Sequence, residues 1–257
     1  MLVYDKIKQA YHKVKTTAKT IVKSGETNRS TAPLDFFHAD YYLRHNQRRQ
    51  EHLATLGLDL VNKTVLEVGA GIGDHSSFFF DRNCNVLITE ARQENLDIIK
   101  TRYPQAQIAN LDLDDPKLEL HPLEIVYCYG LLYHLNNPAR AIEYMAGACK
   151  DLLLLETCVS FGNESRINLC SELVIDPTQA VSGTGCRPTR VWIFEQLKQY
   201  FEFVYMPVTQ PYHDQFPIDW QPPPEADKLT RSIFIASRQR LDNSLLLAEV
   251  PMQQRRG

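Results

Sequence analysis

The stretch V-L-E-V-G-A-G-I-G, Val65 to Gly73, decides how the rest of the chain is read. Thr64 to Val68 is β-branched and apolar, the composition of a strand, and the glycines lead into a helix expected over Asp74 to Arg82, with Phe78, Phe79 and Phe80 inside it. Between a strand and a helix, a glycine loop reads as a ligand cradle, because the turn is tight and the backbone must approach what it holds. Gly69, Gly71 and Gly73 run G-x-G-x-G, whereas a dinucleotide fold wants G-x-G-x-x-G, so the pyrophosphate-binding spacing is missing. Glu67, two positions before the first glycine, would welcome a cationic ligand and repel a pyrophosphate.

Outward from this loop the strand–helix rhythm continues. Strands are expected at Asn85 to Glu90, Ala106 to Leu113, Glu124 to Tyr129, Asp151 to Thr157, Glu202 to Met206 and Arg231 to Ser237. Helices are expected at Gln93 to Arg102, from Pro138 onward, and at Thr189 to Tyr200. Such alternation predicts an α/β, doubly wound, mostly parallel seven-stranded sheet with helices on both faces. A further helix precedes it over Asp40 to Leu56, stopped by Gly57. The expected organisation is an N-terminal segment and linker over 1–33, the main domain over 34–241, and a partly disordered tail over 242–257. Within the domain, 207–224 carries six of the fourteen prolines and reads as a lid loop or a partner surface.

Glu90 ends the second strand, 17 residues after Gly73, where a carboxylate can accept hydrogen bonds from two ribose hydroxyls. Asp112, in N-L-D-L-D-D, ends the third strand and is placed to meet an adenine amino group beside Leu113. Either acid alone could be a cap or a turn residue. Together with the glycine loop, at the carboxyl ends of successive strands, they point to a nucleoside site.

With these residues the chain resembles the class I S-adenosylmethionine-dependent methyltransferases over about residues 40 to 240. The resemblance rests on E-V-G-A-G-I-G, Glu90, Asp112 and I-V-Y-C-Y-G-L-L-Y-H-L-N-N-P at Ile125 to Pro138. It implies a Rossmann-like methyltransferase fold with its last strand antiparallel, and S-adenosylmethionine as cofactor, leaving as S-adenosylhomocysteine. It also implies cofactor contacts at Glu67, Gly69, Ala70, Gly71, Glu90, Ala91, Asp112, Leu113 and Tyr129. Arg92, close behind Glu90, either stacks near the adenine or carries nothing. The helix before the first strand often closes over the cofactor in this family, which would engage Tyr42, Arg44, His45 and Arg49.

Methyl transfer from a sulfonium is an in-line displacement, so the protein mainly aligns two reactants, and an alcohol acceptor also has a proton to lose. His134, in L-Y-H-L after the fourth strand, is the expected base, with Tyr133 beside it on the acceptor side. The alternative is a His134 that packs on the adenosyl group or caps the next helix. Arg187 and Arg190, in G-T-G-C-R-P-T-R, have the fork geometry for a carboxylate or phosphate, although the same segment also reads as helix-start punctuation. Tyr212, His213, Asp214 and Trp220 mix rings with polar groups, which suits sugar recognition; an ordered structural loop accounts for them equally well.

The leading expectation is therefore O-methylation of a small molecule or a sugar or glycan hydroxyl. The runner-up is a tRNA-modifying enzyme, because L-L-Y-H-L and L-L-E-T-C-V also resemble the wobble-uridine carboxymethyltransferases. A third reading is a non-catalytic subunit of the same fold. Residues 1–30 hold seven Lys and Arg against two acids, leaving roughly −8 on the remainder of a chain whose net charge is −3. The acidic body argues against nucleic acid as a partner. Lysines flank a stripe of Ile7, Tyr11, Val14, Ala18 and Ile21, suiting a helix that docks weakly on anionic lipid or RNA, or one that packs on the domain or a second subunit.

Six cysteines at 84, 128, 149, 158, 170 and 186 form no C-x-x-C, and the eight histidines are scattered, so neither a disulfide framework nor a metal is expected. The longest all-aliphatic run is Leu152 to Leu155, and no apolar signal-peptide core opens the chain. A reducing, cytoplasmic location is expected.

Overall fold

The computed structural model describes residues 33–174, 176, 178–221 and 228–257. The lysine-rich segment expected over 1–30 lies outside the described residues, as does the end of the proline-rich loop at 222–227. In chain order the elements are α1 (Pro33–Phe37), α2 (Asp40–Thr55), β1 (Thr64–Val68), α3 (Ser76–Phe80), β2 (Asn85–Glu90), α4 (Gln93–Arg102), β3 (Gln107–Asn110), β4 (Leu123–Tyr129), a 3-10 turn (Leu132–His134), α5 (Pro138–Gly147), β5 (Cys149–Cys158), β6 (Ile167–Ser171), β7 (Thr184–Pro188), α6 (Arg190–Lys198), β8 (Phe203–Pro207), β9 (Thr209–Gln210), β10 (Arg231–Ser237), β11 (Leu246–Leu247) and β12 (Arg255–Arg256).

The central sheet runs β3-β2-β1-β4-β5-β10-β8-β11. β1 to β5 are mutually parallel, and β10 inserts antiparallel between β5 and β8. The side-chain period of two splits each central strand between two cores. Val126, Cys128, Leu153 and Leu155 face α5 and α6, where Ile142, Met145, Ile193 and Leu197 are fully buried. Ile125, Tyr127, Leu152 and Leu154 face the other layer, with Leu53 of α2 and Phe79 of α3. The leucine run of β5 is buried on both faces because the strand lies mid-sheet and is covered twice.

Helix ends follow local chemistry. Asn137 caps α5 through its side chain, with Pro138 in the first turn, and Thr189 caps α6 by accepting from the Trp192 N–H. Gly57 follows α2 with φ +64°, the left-handed geometry that ends a helix. All six cysteines are free thiols, five of them buried. Among the described residues no helix is long and apolar enough to cross a membrane.

Three expectations are corrected. The seven-stranded sheet has an eighth, two-residue strand at its edge, β11 against β8. That strand belongs to the residues expected as a disordered tail, which instead return to the domain. β12 pairs with β9, and Gln254 is buried while donating to the Pro207 carbonyl and accepting from Gln210 and Trp220. The stretch 160–189, where the sequence shows no strand pattern, holds the antiparallel β6–β7 hairpin. Several of its side chains are exposed, so the alternation that marks a buried strand is absent.

Candidate active site

The loops that follow β1 to β4 meet at one rim of the sheet. A cleft of about 640 Å³ lies there, lined by Gly69 and Gly71 after β1, Glu90, Ala91 and Arg92 after β2, Asp112 and Leu113 after β3, and Gly130, Leu131 and His134 after β4. That volume is in the range that encloses most of a nucleotide-sized ligand. A second hollow of about 410 Å³ shares Phe37, Tyr42, Gly69, Gly71 and Gly130 with the first and reaches Glu67, Ala70, Asp74, His75 and Tyr129. The nine residues expected to hold a cofactor all lie on these two connected spaces.

The glycine loop is shaped by close approach as well as by torsion. Gly69 and Gly71 have φ of +65° and +59°, and a Cβ on Gly71 would stand 2.7 Å from the Phe37 ring. Glu90 fastens the loop. One carboxylate oxygen accepts from the Gly71 N–H at 2.9 Å, and the other accepts from Ala91 and Arg92 N–H groups at 3.0 Å. Burial raises the Glu90 pKa, and these hydrogen bonds oppose the rise. Glu67 is also enclosed, its one partner being Ser76 Oγ, and burial pushes its pKa up to about 7.

Beneath the rim lies a charged core. Glu156, at the end of β5 and fully buried, takes Arg49 of α2 at 2.8 Å and Arg231 of β10 at 3.1 Å. Arg231 also donates to Tyr133 Oη at 3.0 Å and to Gln215 at 2.8 Å. Breaking such a desolvated triad costs about 3–5 kcal/mol, because a buried charge is left unpaired. The triad joins α2, β5 and β10, and so fixes the wall that faces the glycine loop.

His134 stands on the wall of the larger cleft at the turn after β4. Its Nδ1 is hydrogen-bonded to a carboxylate oxygen of Glu172, which follows β6, and it has no other hydrogen bond among the described residues. Burial pushes the ring's pKa below its usual value, against the pull of Glu172. The ring is therefore neutral near pH 7, with Nε2 free to accept a proton.

The other expected acceptor residues scatter. Arg187 donates to Glu172, to the Tyr133 carbonyl and to the Cys186 carbonyl, and its guanidinium stacks on the Tyr133 ring opposite no ligand space. Tyr133 is buried between Arg187 and Arg231. Arg190 and Trp220 are corrected to packing residues: Arg190 donates to the Pro251 carbonyl and stacks on Trp220, whose indole N–H donates to Gln254. His213 lies in a separate surface hollow with Tyr41, Arg44, Tyr212 and Arg256, and packs on His45. Of the helix residues expected to close over the cofactor, Tyr42 and Arg49 line the second hollow, Arg44 lies in the surface hollow and His45 is buried.

Sequence reading missed Phe37, Asp114, Glu172 and the 178–181 segment, all but Glu172 on the cleft wall. Arg92, left open by the sequence, donates to the carbonyls of Val174 and Gln179 at 3.1 Å and so ties that segment to the rim. No motif marks these residues; they reach the site through the hairpin and through α1.

Asp74 Oδ2, Arg49 Nε and Tyr129 Oη are buried and without hydrogen-bond partners, and all three residues border the second hollow. Buried polar groups rarely stay unpaired, so these point to a ligand carrying both donors and acceptors. An amino-acid end has both, and a ribose and base in the larger cleft would reach Glu90 and Asp112. The residues present therefore fit S-adenosylmethionine.

Residues 66–151 match the family model of a methyltransferase domain. The fold is similar to the N-terminal domain of EvdMO1 solved with S-adenosylhomocysteine and D-fucose, at 16% identity and TM-score 0.56, over 83% of this chain and 86% of that one. It is likewise similar to magnesium protoporphyrin IX methyltransferase from Synechocystis PCC 6803 with bound S-adenosylmethionine, at 14% identity and TM-score 0.53, over 84% and 86%. An S-adenosylmethionine-dependent methyltransferase from Mesorhizobium loti matches at 16% identity and TM-score 0.54, over 74% and 98%. At these identities the likeness establishes the fold. No curated protein sequence matches the chain.

Proposed function

We propose that this chain, a class I S-adenosylmethionine-dependent methyltransferase, O-methylates a small-molecule hydroxyl, with a sugar or glycan as the acceptor class and His134 as general base. When bound, the cofactor supplies an activated methyl group on its sulfonium. The glycine loop, Glu90 and Asp112 hold the nucleoside end, while Arg49, Asp74 and Tyr129 have the free groups for the amino-acid end. Phe37 and Tyr42 cover both spaces and help to exclude water.

The observation that carries the base assignment is His134 on the cleft wall, neutral, with Nδ1 held and Nε2 unpaired. Such a ring accepts the hydroxyl proton at Nε2 as the oxygen attacks. A neutral acceptor suits the cleft, since the nearby guanidiniums of Arg187 and Arg231 are already paired with Glu172 and Glu156. The D-fucose in the EvdMO1 structure supports a sugar as the first acceptor class to try.

The test is a methyl-transfer assay on a panel of pyranoses, beginning with D-fucose, alongside phenols and carboxylic acids. His134→Ala is expected to lower turnover by about 10²- to 10⁴-fold, with S-adenosylhomocysteine affinity unchanged by calorimetry. Undiminished turnover at saturating acceptor removes His134 as the base. Transfer to phenols or carboxylates but to no sugar removes the sugar assignment.

A further inference from the structure

Glu172 follows β6 directly, 38 residues beyond His134, and its side chain is only 3% exposed. The carboxylate is fully engaged. One oxygen meets His134 Nδ1 and the Ala180 N–H at 2.8 Å, and the other accepts from Arg187 at 3.2 Å. The hairpin makes room for it at one place. Gly185 of β7 has an ordinary backbone, yet a Cβ there would lie 2.7 Å from Glu172 Oε1 and 2.6 Å from the Tyr133 carbonyl oxygen. Glycine at 185 is thus required by space, and the space is occupied by the carboxylate. A hairpin built only for packing gains nothing from a desolvated carboxylate in its centre.

We propose that Glu172 is a positioning residue for His134, holding the neutral ring as the Nδ1–H tautomer so that the Nε2 lone pair faces the cleft, and that Gly185 is the residue that admits it. The inference rests on the base assignment above and adds the part that selects the working nitrogen. An acceptor carboxylate on Nδ1 fixes both the tautomer and the ring plane. The charges acting on the ring are Glu172 and Arg187 from the hairpin and Arg231 from β10. Glu172 raises the ring's pKa and the two arginines lower it, while Asp112 and Asp114 line the same cleft. Removing the Glu172 charge therefore moves the ring further down.

The full chain, labelled with ¹⁵N histidine and saturated with S-adenosylhomocysteine, is titrated by long-range ¹H–¹⁵N spectroscopy. The wild-type ring is expected as the Nδ1–H tautomer. In Glu172→Gln its pKa should fall by about one unit or more, with the Nδ1–H tautomer lost or mixed and affinity for S-adenosylhomocysteine retained. The acid limb of kcat/KM, with any acceptor found above, should move to lower pH by the same amount. Gly185→Ala should give the same spectral change while altering no charge. A titration and tautomer unchanged in Glu172→Gln overturns the proposal, as does a wild-type ring found as Nε2–H even where both variants fail to fold. If His134→Ala leaves turnover intact, the base assignment fails while the spectral result stands; an inert Glu172→Gln beside an inactive His134→Ala defeats only the positioning role.

Discussion

Glu67 lies on β1 with its carboxyl enclosed, and burial lifts its pKa from the usual 4.5 to about 7. The sign of the resulting pH dependence follows directly. Between pH 4.5 and 7 the unfolded chain ionises this group while the folded chain keeps its proton, so the native state loses stability as pH rises through that window and then levels off. Glu67→Gln, which keeps the Ser76 contact, is expected to leave the cofactor-free protein little changed at pH 4.5 and to stabilise it by up to about 3 kcal/mol at pH 8. Thermal unfolding at the two pH values measures this, and an equal offset at both would reject it. The contrast with Glu156 is instructive. That carboxylate is equally buried, but two guanidiniums flank it, so it belongs to the scaffold while Glu67 borders ligand space.

At the scale of elements, the β6–β7 hairpin links the two halves of the site. Its connecting segment lines the cofactor cleft through residues 178–181, and Glu172 at its start reaches His134. Arg92, at the end of β2, ties this segment down with two hydrogen bonds to carbonyls. Their loss should lower the local opening energy by about 1–2 kcal/mol. Arg92→Ala is therefore expected to speed amide exchange across 178–183 by roughly tenfold, with the central strands unaffected. Exchange rates in that segment equal to wild type would show that the hairpin holds itself. On the opposite side, α1 and the start of α2 bring Phe37 and Tyr42 over the glycine loop, so the cleft is walled by elements outside the parallel strands.

For the whole molecule, the final residues are a structural strap. Gln254 and Pro251 serve Gln210, Trp220, Pro207 and Arg190 through four hydrogen bonds between buried or half-buried groups. At about 1 kcal/mol for each partner lost, a chain ending at Asn243 should be less stable by about 3–4 kcal/mol. For a domain of this size that corresponds to a Tm lower by roughly 10 °C, readable by calorimetry. An unchanged Tm would mean that the strap contributes no stability. Its attachment explains why Trp220 and Arg190 take no part in the cleft: they are the groove in which the strap lies.

The cofactor half of the site was legible in the sequence because each of its residues sits at the end of a strand or in the turn that follows. Gly69, Glu90, Asp112 and His134 are set by local signals, and parallel pairing then brings them to one rim. The central strands were legible for the same reason, since mid-sheet burial imposes an apolar period that a single segment displays. What surrounds that half was decided only by tertiary structure. Glu172 meets His134, Arg92 meets Val174 and Gln254 meets Trp220 across long separations, and no local propensity records which exposed-looking hairpin or polar tail will be folded back onto the sheet. Ion pairs and side-chain hydrogen bonds between distant segments form only after the strands have placed them. That is why Arg190 and Trp220, read as acceptor groups from their chemistry, proved to be packing, while a glutamate without any motif came to hold the proposed base.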